Sequence, residues 1–182
     1  IDHERTHENY NLMERDQSPE AYLQERMEQL YHIERADLKV TADWVITLPQ
    51  GWQGDSREFF TCCTDFLNDR YGAENCIFAT VHKDEARDHM HYCFIPVAPD
   101  KNPNHEQDHK ICAKEVLNKQ ELRDFHKDLQ EHLRERLPER GEREIQVYGI
   151  EKERVKDRSL REFKAFKEEQ RIDRLEKQQK ER

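Results

Sequence analysis

Val81-His82-Lys83-Asp84-Glu85-Ala86-Arg87-Asp88-His89-Met90-His91-Tyr92 places three histidines around a short charged turn. In a β-strand, residues two apart point to the same face. His89 and His91 therefore project side by side. His82 ends the preceding apolar run, directly across the turn. Three imidazoles from two adjacent strands can thus converge on one point. A divalent metal calls for such a set: neutral nitrogen donors in fixed positions, with other coordination positions left open. Asp84 and Glu85 lie in the turn, where either can orient a histidine or act as a base. The alternative is a solvent-facing edge strand. Cys93, Ile95 and Val97 continue the same face and read as buried, which argues against it. The remaining histidines (His3, His7, His32, His105, His109, His126 and His132) read as solvated or capping residues.

Outward from this pair of strands, the chain reads as mixed α and β, with at least three strands and helices between them. Residues 1–17 are polar and irregular. Ser18-Pro19 predicts a helix start, with Tyr22, Leu23, Met27, Leu30 and Tyr31 at helical spacing. Val40–Leu48 alternates, with Val40, Ala42, Trp44, Ile46 and Leu48 on one face. Asp55 or Ser56 caps a second helix that ends at Tyr71-Gly72. Strands are expected at Asn75–His82 and His89–Val97. Pro99 to Lys110 reads as a polar loop and Ile111–Ala113 as a short strand. Asn118–Leu137 is a helix with Leu122, Phe125, Leu129, Leu133 and Leu137 in register. Glu144–Tyr148 reads as a short edge strand, and Arg158–Arg182 as a charged helix.

The 182 residues fit one domain with a tail. Only 34% of them are hydrophobic and 39% are charged, so part of the chain is expected to lie outside the core. No apolar run reaches eighteen residues, which excludes a transmembrane helix, and no signal peptide is apparent. The odd set of five cysteines, without a CxxC pair, argues against a disulfide framework or a cysteine zinc site and for a reducing cytoplasm. The net charge of -9 disfavours a nucleic-acid partner taken alone. The charge is uneven, however: residues 152–182 carry 12 Lys/Arg against 8 Asp/Glu, and residues 1–151 carry 19 against 32.

The pattern His82-x-Asp84-Glu85-x-x-x-His89-x-His91 resembles the third motif of the Mob/Pre (MobV-type) plasmid mobilisation relaxases, H-x-D-E-x-x-P-H-x-H. Arg5-Thr6-His7-Glu8-Asn9-Tyr10-Asn11-Leu12 is similar to the family's second motif, S/T-H-x-N-Y-x-L. The resemblance covers roughly residues 1–150. It implies the HUH endonuclease class and an α+β fold in which a central antiparallel sheet, flanked by helices, presents a histidine-bound metal. Residues 1–150 would form the catalytic domain, its N-terminal strand missing, and residues 151–182 a charged helical extension. The implied activity is conjugation chemistry: nicking and rejoining one strand at an origin of transfer through a covalent protein–DNA intermediate.

The resemblance assigns His82, His89 and His91 to a manganese or magnesium ion. It gives Glu85, and less directly Asp84, the task of activating or positioning the nucleophile. Arg5 and Asn9 make either DNA contacts or structural bonds, and with Tyr10 they form the expected DNA-binding set. Tyr10 is expected to pack or touch DNA rather than replace the nucleophile. The implied partner is single-stranded or supercoiled origin DNA in the cytoplasm, with self-association through the C-terminal helix and no membrane. Two departures stand out. Asp88 replaces the family's proline, adding a charge and loosening the turn. The first motif, which holds the family's nucleophile upstream of the second, has no counterpart in the sequence. Two other readings remain open: a relaxase-like module that binds DNA without cutting it, and an unrelated three-histidine metallohydrolase using Glu85 as base.

Overall fold

The computed structural model describes residues 1–137. The expectations for Glu144–Tyr148 and for Arg158–Arg182 fall outside the described residues.

The expected α+β architecture is present. Six strands, β1 (Tyr10–Asn11), β2 (Ala42–Thr47), β3 (Cys76–His82), β4 (His89–Phe94), β5 (Val97–Pro99) and β6 (His109–Ile111), form two antiparallel sheets. The larger has the order β1-β3-β4-β2, and β5 and β6 form the smaller. The helices are α1 (Pro19–Glu28), α2 (Ser56–Tyr71), α3 (Ala113–Val116) and α4 (Lys119–Arg136).

Local chemistry sets the helix ends. The Ser18 hydroxyl accepts from the Ala21 N–H, with Pro19 in the first turn. Asp55 accepts from Arg57 N–H and Asn118 from both Gln120 and Glu121 N–H. Gly72 closes α2 at φ 87°, a conformation other residues rarely adopt, and a Cβ there would meet the Glu74 and Asn75 side chains below 3.0 Å.

The two faces of the main sheet are used differently. One packs on α2 and α4: Val81, Met90, Tyr92 and Phe94 meet Phe59, Phe60, Cys63, Leu67, Phe125, Leu129 and Leu133 in the main core. A side chain of that size contributes about 1.5–3 kcal/mol when fully buried. The other face is half covered. A second core of Leu30, Ile77, Ile95 and Ile111 gathers Tyr22, Leu23 and Met27 of α1 with Phe78 and Cys93. The register of β3 shifts between Cys76 and Phe78. This irregularity lets the consecutive Ile77 and Phe78 join the same core, which an unbroken strand forbids.

Three details depart from the sequence expectations. The strand expected to run through Val97 ends at Phe94. Pro96 has no N–H for the ladder, so the chain leaves the sheet and restarts as β5. The segment Pro99–Lys110 is organised by polar pairs: Asp100 accepts from His105 Nδ1 (2.6 Å), and Tyr31 stacks on that ring with centroids 3.4 Å apart. The short strand lies at His109–Ile111 rather than Ile111–Ala113. Finally, residues 3–8 form a 3-10 helix capped by Asp2, followed by β1, where irregular chain was expected.

Candidate metal centre and nucleic-acid face

The half-covered sheet face carries the three histidines. His82 lies directly opposite His89 across the β3–β4 pair, and His91 lies between Thr80 on β3 and Val45 on β2. The ring centroids of His82 and His89 are 5.3 Å apart, those of His82 and His91 5.6 Å, and those of His89 and His91 5.3 Å. Three imidazoles bound to one ion through nitrogens about 2.1 Å away would have centroids spaced by about 5 Å. The spacing therefore suits a shared ion. Among the described residues, no group of three or more His, Cys, Asp or Glu is drawn together closely enough to hold a metal ion as it stands, so the three rings would have to close on the ion. The structure shows an open triangle of part-exposed rings.

Hydrogen bonding determines which nitrogen of His89 and of His91 is free to coordinate. His89 Nδ1 is 3.0 Å from the Arg87 carbonyl, and His91 Nδ1 is 2.7 Å from Asp43 Oδ2. A carbonyl and a carboxylate can only accept here, so both Nδ1 atoms carry the proton and Nε2 carries the lone pair. His82 Nδ1 lies 3.9 Å from Asp84 Oδ1. The hydrogen-bonded oxygens beside His89 and His91 fix ring orientation and raise donor strength, as in histidine metal sites, whereas the Asp84 oxygen lies beyond hydrogen-bond distance from His82. The donor set fits a divalent ion.

Asp84 is buried, at 5% exposure. Burial pushes its pKa up, but hydrogen bonds from Asn9 and Thr6 and the nearby His82 outweigh this and hold the carboxyl below its usual range. The Thr6 hydroxyl donates to Asp84 Oδ2 at 3.0 Å. Glu85 is exposed on the turn and makes no hydrogen bond or ion pair among the described residues. The two carboxylates that are adjacent in sequence thus differ in environment: one is fixed behind His82, the other projects into solvent.

The expected DNA-binding set divides in the same way. Arg5 is part-exposed, bonded to Glu8 at 3.1 Å and 4.0 Å from Asp88. Asn9 uses its side-chain oxygen to accept from Lys83 N–H at 2.7 Å. Tyr10 lies opposite Val81 in the β1–β3 pair, so it shares the helix-covered face and not the histidine face. Arg57 sits over its ring at 4.1 Å, and its buried hydroxyl has no hydrogen-bond partner. This placement supports packing. Two of the histidines read as solvated, His126 and His132, each have a buried ring nitrogen without a partner, because both lie on α4 against the aromatic core.

Asp43 is the residue that sequence reasoning missed. Alternation puts it on the polar face of β2. Only the pairing of β2 with β4 brings it to His91, and the sequence does not state that pairing.

This sheet-and-helix arrangement matches the fold of solved relaxase domains. The structure matches a manganese-bound MobM relaxase domain in complex with plasmid pMV158 oriT DNA (22 nucleotides with a 3′-thiophosphate), with a TM-score of 0.66 and 24% identity, covering 91% of this chain and 82% of that one. A second MobM structure, with 23 nucleotides of the same DNA and manganese, matches at a TM-score of 0.65 and 26% identity, covering 89% of this chain and 82% of that one.

The Mob/Pre model, described as plasmid recombination enzyme, matches residues 1–165, and the chain belongs to this family. Relatives include a plasmid recombination enzyme type 3 of Staphylococcus aureus, 33% identical over 146 residues, covering 75% of this chain and 33% of the relative. A plasmid recombination enzyme of Lactiplantibacillus plantarum is 30% identical over 189 residues, covering 98% of this chain and 48% of the relative. The chain therefore spans less than half the length of these relatives. Among the described residues, no helix is long and apolar enough to cross a membrane.

Proposed function

We propose that residues 1–150 form the DNA-processing domain of a relaxase, which nicks and rejoins one strand of plasmid or integrative-element DNA at an origin of transfer. Residues 151–182 form its charged extension. The observation that carries this reading is the triangle of His82, His89 and His91, with His89 and His91 fixed to present Nε2. Family membership supports it over an unrelated metallohydrolase, and the DNA and manganese in the MobM structures support the choice of ligand.

His82, His89 and His91 would hold a manganese or magnesium ion. When bound, such an ion supplies Lewis-acid polarisation of the scissile phosphate. Neutral ligands leave the ion its full charge for the phosphate. Asp43 positions His91, and the buried Asp84 carboxylate, 3.9 Å from His82 Nδ1, places a negative charge behind that ring. Glu85, exposed beside the triangle, is the carboxylate free to orient or deprotonate the attacking group. The strand would be held as a covalent protein–DNA intermediate, and rejoining is the reverse of the first step. Arg5 is the member of the expected DNA-binding set whose exposure suits a phosphate contact; Asn9 and Tyr10 support the sheet beneath.

Calorimetric titration of Mn²⁺ tests this reading. One site per chain is expected, lost in His91→Ala and kept in His105→Ala. Equal uptake by all three proteins would refute the assignment.

A further inference from the structure

Five contacts tie the N-terminal segment to the turn between β3 and β4. At the start of the turn, Asp2 N–H donates to the Asp84 carbonyl at 2.6 Å and Thr6 Oγ1 to Asp84 Oδ2 at 3.0 Å. Asn9 accepts from Lys83 N–H at 2.7 Å and also hydrogen-bonds to Asp84. At the end of the turn, Arg5 Nη2 lies 4.0 Å from Asp88 Oδ1, while Glu8 holds the same guanidinium at 3.1 Å. The Asp88 carbonyl in turn accepts from Leu48 N–H at 2.9 Å, just beyond β2.

Lys83 follows His82, and Asp88 precedes His89. The residues held are therefore the immediate neighbours of two of the three histidines. The turn between them is exposed at Glu85, Ala86 and Arg87, so it has little packing of its own. A short 3-10 helix without a single buried residue would ordinarily be free to fray. Here Thr6 binds it to a buried carboxylate, and the neighbouring Arg5 ties it to Asp88 by an ion pair.

We propose that Asp2–Asn9 is a clamp that fixes both ends of the Lys83–Asp88 turn and thereby sets the positions of His82 and His89. Arg5 and Thr6 are its positioning residues, and neither need touch the ion. The inference rests on the metal reading above for its consequence, but the clamp itself can be measured without metal.

The sign of one substitution separates the clamp from simple electrostatics. Arg5 is a cation near a cation site. Through its field alone, Arg5→Ala would tighten Mn²⁺ binding. A clamp predicts the opposite. Thr6→Val carries no charge change and removes only the hydroxyl bond to Asp84.

The experiment is amide hydrogen exchange of residues 83–89 together with Mn²⁺ calorimetry, on the whole chain and on Arg5→Ala, Arg5→Lys and Thr6→Val. In Arg5→Ala and Thr6→Val, exchange in the turn is expected to rise and Mn²⁺ affinity to fall. Each change should be about two- to fivefold, the size expected for one part-exposed polar contact. Arg5→Lys, which keeps the charge, should stay close to the starting protein. Unchanged exchange in the turn overturns the clamp, as does faster exchange with equal or tighter Mn²⁺ binding. Should the starting protein bind no Mn²⁺, the metal reading falls, and exchange alone then decides the clamp: faster exchange confined to the turn upholds it and unchanged exchange overturns it.

Discussion

Asp43 shows how much a single side chain depends on its neighbour. It is ordinary in the sequence, yet its carboxylate lies 2.7 Å from His91 Nδ1. Asp43→Asn keeps the shape but removes the anion that orients the ring. Mn²⁺ affinity is expected to fall about tenfold, the lower end for loss of a ligand-orienting partner; calorimetry beside His91→Ala checks this. Tyr10→Phe is a test of the opposite kind. It deletes a buried hydroxyl without a partner and keeps the ring beneath Arg57. Stability is expected to hold or to rise by up to about 1 kcal/mol, because no hydrogen bond is lost and an unpaired polar group is removed. A drop of 2 kcal/mol in denaturant unfolding would show that the hydroxyl has a partner after all.

At the scale of elements, α4 joins the sheet through both apolar and charged contacts. Phe125, Leu129 and Leu133 were legible as a helical stripe and are buried. Leu122 belongs to the same stripe by spacing but is 51% exposed; its neighbour Glu121 is the residue turned toward Arg70 and Tyr71 of α2. Leu133→Ala should cost about 3 kcal/mol, the usual figure for a buried leucine that leaves a cavity. Arg70 on α2 donates to Glu121 at 2.7 and 2.9 Å and to Asp128 at 2.9 Å, and the Tyr71 hydroxyl donates to Glu121 at 2.6 Å. The Trp44 indole of β2 completes the group by donating to the Tyr71 oxygen. The pair is partly exposed, so its loss lies between the surface and buried cases. Arg70→Ala should destabilise by about 2 kcal/mol in chemical denaturation.

For the whole molecule, acid and metal are the informative variables. Burial raises the Glu121 pKa, but hydrogen bonds from Arg70 and Tyr71 more than offset it and leave the carboxyl below its usual range. The hydrogen bond from His105 lowers Asp100 in the same direction. Groups with depressed folded pKa values contribute stability that is complete above their unfolded values, near pH 4, and lost as pH falls through the folded values. Stability should therefore be flat on this account above about pH 5 and decline below about pH 4, with a shallower decline in Arg70→Ala. Melting curves across that range test it. If the histidine triangle binds Mn²⁺, the ion at about 100 times its Kd should add about 2.7 kcal/mol, or about 5–10 °C in melting temperature, reversed by a chelator. No shift in a protein that binds Mn²⁺ would mean that the unfolded chain binds it equally well.

The sequence by itself determined what depends on local chemistry. Ser18-Pro19, Asp55, Gly72 and Asn118 mark helix ends because capping is a property of a few adjacent residues. The alternation of β2 and the His-x-His of β4 assign faces because strand period is local too. The turn Lys83–Asp88 joined two strands whose pairing could only be antiparallel, so His82 and His89 were legible as neighbours. Tertiary structure decided everything that needed a non-local partner. The sequence did not state that β2 pairs with β4, which gives His91 its aspartate, or that β1 pairs with β3, which turns Tyr10 away from the histidines. It did not state that a polar N-terminal segment holds Asp84 and Asp88. These contacts join residues more than 40 positions apart, and their formation depends on which surfaces the assembled sheet leaves open.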